Sequence, residues 1–109
     1  MSFRVVITRQ AEIDLCGIYE YIAYELHAPQ SANGQLTRLE EAIFDLDEMP
    51  RRYKSYDKEP WRSRGLRVMP VDNYLVYYIP DYDSMLVTII RVMYGGRDTD
   101  VQLTNHTSY

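Results

Sequence analysis

The chain has 109 residues, 46% of them hydrophobic and 26% charged, with 12 Lys plus Arg against 16 Asp plus Glu and a formal net charge of −4. So short a chain builds one core, so the composition predicts a single folded domain and excludes a disordered polar chain. Net acidity and a lone cysteine, Cys16, exclude a general nucleic-acid coat, an internal disulfide framework and a cysteine-built zinc cluster.

No run of 18 apolar residues occurs, and Met1 to Val6 lacks the apolar stretch of a secretion signal, so the expected location is the cytoplasm. Phe3, Val5 and Ile7 alternate with Arg4, Val6 and Thr8, which predicts a short first strand. Thr8 stands where a helix N-cap belongs, with Glu12 in the first turn. Ala11, Leu15, Ile18 and Ile22 then recur at helical spacing, predicting a helix over 10–25 that ends at His27-Ala28-Pro29. Cys16 lies beside that stripe and reads as a packing residue. Pro29 suits the first turn of a second helix, whose stripe is Ala32, Leu36, Leu39, Ile43 and Leu46 and whose end is Pro50. The short connection makes the two helices an antiparallel hairpin.

Beyond Pro50 the period changes. A polar connector carries Tyr53, Tyr56, Pro60 and Trp61; a strand follows from Leu66 to Val71, with Pro70 marking an edge or a bulge. After the turn at Val71-Asp72-Asn73, the segment Tyr74-Leu75-Val76-Tyr77-Tyr78-Ile79 reads as a second strand. Met85 to Tyr94 reads as a third, stopped by Gly95-Gly96. Short links make these strands an antiparallel meander. The expected fold is α+β: a first strand joining the sheet, a helical hairpin, and a three-stranded meander, with helices on one sheet face and the other face free for function. Residues 1–103 form the expected domain, and 104–109 are expected to be a mobile tail.

Charge is sorted along this plan. Residues 10–50 carry nine acids and one base, Arg38, for a net −8. Residues 51–67 carry seven bases and two acids, for a net +5. A local basic face of that kind can meet phosphate even when the average charge is negative.

The inventory for chemistry is sparse. No phosphate-cradling glycine loop, nucleophile elbow or metal-ligand spacing occurs, and His27 and His106 fall in a turn and in the tail, so neither metal nor cofactor is expected. What remains is arginine and aromatic side chains. Trp61, Arg62, Arg64 and Arg67 combine an indole with guanidinium forks that suit phosphates and unpaired bases. Strict alternation places Arg91 on one face with Ile89 and Met93, opposite Ile90 and Val92. An arginine in an apolar strand needs a partner, either a carboxylate such as Asp98 or Asp72 or an external anion.

The ordered set of segments resembles the RelE/ParE superfamily of bacterial toxins. It comprises Ala11-Glu12-Ile13-Asp14-Leu15 with Ile18-Tyr19-Glu20-Tyr21-Ile22, then Leu39-Glu40-Glu41-Ala42-Ile43. Arg64-Gly65-Leu66-Arg67, Tyr74 to Ile79, and Ile90-Arg91-Val92-Met93-Tyr94-Gly95-Gly96-Arg97 complete it. The resemblance implies the toxin of a type II toxin–antitoxin (plasmid stabilisation) module, neutralised by a cognate antitoxin in a hetero-oligomer. It implies one of two mechanisms: RelE-like cutting of mRNA on the ribosome without a metal, or ParE-like inhibition of DNA gyrase. A member that has lost toxicity and only binds antitoxin is the third alternative. For a ribonuclease, the resemblance points to Arg67 and Arg97 as phosphate-stabilising residues and to Tyr94 as the proton-transfer group. Tyr74 stands where RelE-like members carry an arginine. Trp61, Arg62, Arg64 and Arg91 would line the target-binding face, and Tyr74, Tyr77 and Tyr78 would contact the antitoxin.

Overall fold

The computed structural model describes residues 2–96 and 98–109. Strand β1 (Arg4–Ile7) leads into helix α1 (Arg9–Glu20), which widens into a π-helical turn, Tyr21–Glu25. Helix α2 (Pro29–Phe44) returns antiparallel, starting on Pro29 as its first residue. Two 3₁₀ turns, Asp45–Asp47 and Pro50–Arg52, lead to a two-residue strand β2 (Lys54–Ser55). Then come β3 (Arg67–Val71), β4 (Tyr74–Asp81), β5 (Leu86–Tyr94) and a short helix α3 (Thr99–Asn105).

The five strands form one sheet in the order β1-β5-β4-β3-β2, with β1 parallel to β5 and the other neighbours antiparallel. The first strand joins the sheet as the sequence predicts, and the helical crossover between β1 and the meander is what permits a parallel pair. Pro70 lies opposite Leu75, beyond the two residues of β3 that pair with β2, so its missing N–H falls at an unpaired edge.

Thr8 caps α1: its Oγ1 accepts the Ala11 N–H at 3.2 Å and donates to the Ile90 carbonyl at 3.3 Å, tying the helix start to β5. Ala11, Leu15, Leu39, Ile43 and Leu46 press onto Met69, Val76, Tyr78, Val87, Ile89 and Val92, closing the main core. Complete burial of each large aliphatic there contributes about 1.5–3 kcal/mol relative to exposure. The Tyr78 hydroxyl is buried in this core and donates to the Pro50 carbonyl at 2.6 Å.

Three expectations are corrected by the structure. The far sheet face is not free: Tyr56, Trp61, Leu66, Tyr77, Ile90, Met93 and Leu103 form a second core, built by the connector and α3. Tyr77 and Tyr78 are adjacent in β4, so they point to opposite faces and serve the two cores separately. Strict alternation in β5 also fails. The register slips between Tyr77, opposite Arg91, and Tyr78, opposite Ile89, so Ile90 is an extra residue. Ile89 and Val92 therefore both reach the helix-side core, while Ile90 and Met93 reach the other. Cys16 is exposed on α1 rather than packed. No helix among the described residues is long and apolar enough to cross a membrane.

Candidate functional site

β1 ends at Ile7 while β5 runs on to Tyr94, so the outer edge of β5 past Ile89 has no neighbouring strand. Asp14 of α1 takes that place. Its Oδ2 accepts the Val92 N–H at 2.9 Å and the Arg91 Nε at 2.7 Å, while Oδ1 accepts Arg91 Nη2 at 2.9 Å. The pair is nearly buried, with side chains 10% and 12% exposed for Arg91 and Asp14. Arg91 Nη1 donates to the His106 carbonyl at 3.1 Å and to Thr107 Oγ1 at 3.2 Å, so the whole guanidinium edge is occupied from within.

Above this pair opens a groove of about 970 Å³ between α1, the π-helical turn, α2 and the ends of β4 and β5. Ile13, Tyr21, Leu26 and Tyr94 line it with exposed apolar surface, Ile13 at 59% and Tyr94 at 48%. The Tyr94 ring meets Tyr74 edge to face at 5.8 Å between centroids. Burial, with Tyr94 and Tyr21 nearby, raises the Tyr74 phenol above its ordinary value. Asp72, held in the left-handed region at φ 54° in the β3–β4 turn, receives Arg38 Nε at 2.8 Å and Gln35 Nε2 at 2.9 Å. Those two hydrogen bonds, Arg38 first, hold its carboxyl below the usual range.

The basic connector is assembled elsewhere. Arg67 Nη1 donates to the carbonyls of Tyr53 at 2.6 Å and Arg51 at 3.2 Å, bracing the connector against β3. Arg64 lies 4.9 Å from the Trp61 ring centroid and donates to the Tyr109 carbonyl at 3.0 Å. Trp61 itself is 3% exposed, and its Nε1–H has no partner among the described residues. Asp100 at the start of α3 binds the Tyr56 hydroxyl and Lys58 Nζ, and the Lys58 and Tyr56 hydrogen bonds lower its pKa. Burial raises the Tyr56 phenol far above its ordinary value, helped by the Asp100 carboxylate.

The structure thus brings Tyr74, Arg91 and Tyr94 together on one groove, but not Trp61, Arg62, Arg64 and Arg67. Arg62 is exposed, whereas Trp61 is a core residue whose face is not open to a base. Arg91 is matched by Asp14, neither by Asp98 or Asp72 nor by an outside anion. Tyr77 and Tyr78, at 2% and 0% exposed, present no contact surface; only Tyr74 of that trio reaches the groove. Arg97 lies outside the described residues. Among the described residues no three of His, Cys, Asp and Glu converge as metal ligands. Sequence reasoning missed Asp14 and Ile13. Ile13 carries a usable signal, since an isoleucine two positions from both Ala11 and Leu15 sits out of phase with the buried stripe.

Solved structures share this architecture. The toxin–antitoxin structure of the chromosomal ParDE system of P. aeruginosa has a chain that superposes with a TM-score of 0.69 at 19% identity, covering 85% of this chain and 96% of that one. In the RelBE2 complex of Mycobacterium tuberculosis the values are 0.64 and 24%, with 86% and 99% covered. A mutant of the E. coli toxin RelE in the free state gives 0.62 and 12%, with 91% and 90% covered. None of the curated proteins matches by sequence. The fold, with its helical hairpin over a sheet in which the first strand runs parallel to the last, is that of a RelE/ParE superfamily toxin. The family model described as the ParE toxin of the type II toxin–antitoxin system parDE matches residues 5–99, and the chain belongs to that family.

Proposed function

We propose that this ParE-family toxin arrests bacterial growth by binding its target, DNA gyrase, rather than by cutting RNA, and that a cognate antitoxin neutralises it in a hetero-oligomer in the cytoplasm. One observation carries this reading: among the described residues, three of the arginines that would serve a reacting phosphate, Arg64, Arg67 and Arg91, are engaged by groups of the chain itself. Arg91 is held by Asp14 and the tail, Arg67 by two connector carbonyls, and Arg64 by the Tyr109 carbonyl. Attack by a ribose 2′-hydroxyl needs a proton acceptor, a proton donor and uncommitted cations around the phosphate. Among the described residues Tyr94 meets an aromatic ring and no base. A surface of exposed Ile13, Tyr21, Leu26 and Tyr94 suits protein recognition, where aromatic and aliphatic anchors dominate affinity.

The test is a pair of assays on the purified chain. Supercoiling by DNA gyrase should fall as the chain is added, and mRNA held on programmed ribosomes should stay intact. Cut mRNA, abolished by Tyr94→Phe with Arg67→Ala, would replace this reading with the ribonuclease one.

A further inference from the structure

A second groove, of about 580 Å³, lies on the opposite flank of α1 from the Tyr94 groove, between α1, α2 and the end of β1. Its floor is apolar, from Ile7, Leu15 and Leu36. Its rim is acidic: Glu12 and Glu20 stand eight residues apart on one face of α1, and Glu40 follows Leu36 by one turn of α2. No cation among the described residues pairs with any of the three. Neither helix carries a basic residue in its last turn, and of the nine acids in residues 10–50 only Asp14 and Asp45 have a cationic partner among the described residues. The helix dipole favours Glu12 in the first turn of α1, but fold stability does not account for Glu20 and Glu40, because uncompensated like charges repel and lower it.

We propose that this groove seats a cationic amphipathic segment of the antitoxin, apolar side chains on the floor and Lys or Arg on the glutamate rim. The inference rests on the toxin–antitoxin reading above and adds to it the place and the chemistry of the contact. Charge complementarity selects the occupant. A nucleic acid is repelled by the rim, since its phosphates carry the same sign. A second copy fits poorly: its own hairpin is equally acidic, and most cations of its connector are committed. Arg52 is held by Asp45, Lys58 by Asp100, and Arg64 and Arg67 by carbonyls. Opposite charges at the rim steer encounter and fix register, while the apolar floor holds the complex.

The experiment uses the complete chain and the product of the adjacent open reading frame as the antitoxin, with affinity measured by calorimetry at two salt concentrations. Glu12→Gln/Glu20→Gln/Glu40→Gln removes the rim charge without changing shape, and Glu25→Gln/Glu41→Gln/Asp83→Asn removes three acids outside the groove lining. The rim variant should raise Kd about tenfold or more and flatten the salt dependence, while the control stays within about twofold. Cys16 lines the groove and is exposed, so N-ethylmaleimide should label it quickly in the free wild-type chain and slowly in the complex. Tight binding insensitive to the rim variant, with Cys16 still labelled at the free rate, overturns the groove assignment and leaves the toxin–antitoxin reading standing. A product that does not bind at all overturns both. Cys16 protected in the isolated chain, together with a dimer in sedimentation, assigns the groove to a second copy and overturns the proposal.

Discussion

Asp14→Ala is the substitution to which this fold should respond most sharply. Asp14 accepts three hydrogen bonds, from Arg91 Nε, Arg91 Nη2 and the Val92 N–H, all at 2.7–2.9 Å. Losing it leaves a nearly buried guanidinium with only the His106 and Thr107 contacts and strands a backbone donor. Breaking a buried pair by removing one partner costs about 3–5 kcal/mol, a large fraction of the ~5–15 kcal/mol that holds a domain of this size. Arg91→Met in the same chain removes the uncompensated charge, leaving chiefly the Val92 N–H, whose desolvation costs about 1–3 kcal/mol. The double variant should therefore be more stable than Asp14→Ala alone. Urea unfolding followed by circular dichroism measures both, with the midpoint moving at constant slope. A cost below about 1 kcal/mol, the range of exposed pairs, would refute the reasoning, as would a double variant equal to the sum of the single ones.

Thr8→Ala should cost about 1–2 kcal/mol in thermal or urea unfolding by removing the α1 cap, and Thr8→Ser should restore most of it. Tyr78→Phe should cost about 1–3 kcal/mol because the Pro50 carbonyl loses its donor in a buried setting. Burial pushes the Tyr78 phenol up to about 12, so the stability it gives is complete below about pH 10 and is lost as pH rises towards 12. Ultraviolet titration should show one late-ionising phenol fewer in Tyr78→Phe than in the wild type, with Tyr56 still ionising late in both. Asp100, its pKa lowered by Lys58 and Tyr56, has the opposite sign: its contribution is present above the ordinary carboxylate value near ~3.9 and is lost as pH falls through the lowered one. Asp100→Asn should remove that acid-side slope from an unfolding-versus-pH series.

The hairpin and the meander were legible because each carries a strong period. Leu39, Ile43 and Leu46 sit at helical spacing and are all fully buried, and the Asp72-Asn73 turn falls where the β-branched runs are interrupted. α3 escaped because seven polar-rich residues with one buried leucine, Leu103, give no periodicity to find. β2, at two residues, escaped for the same reason. The bulge at Ile90 escaped because a period of two carries no sign of an inserted residue. Arg91 was recognisable as needing a partner, yet Asp14 lies 77 residues away and acts from a helix, so local carboxylates were the natural but wrong candidates. The basic connector was read correctly as a charge cluster, but composition does not reveal that Arg64 donates to the Tyr109 carbonyl and Arg67 to the Tyr53 carbonyl.

The central claim is that this toxin acts by binding. Its most direct measurement is inducible expression in bacteria, scoring growth, plasmid supercoiling and transcript 5′ ends in one culture. The account predicts growth arrest with relaxed plasmid and uncut messages, relieved by co-expression of the adjacent gene. Arrest with cut messages and normally supercoiled plasmid, or full growth at high expression, would contradict it.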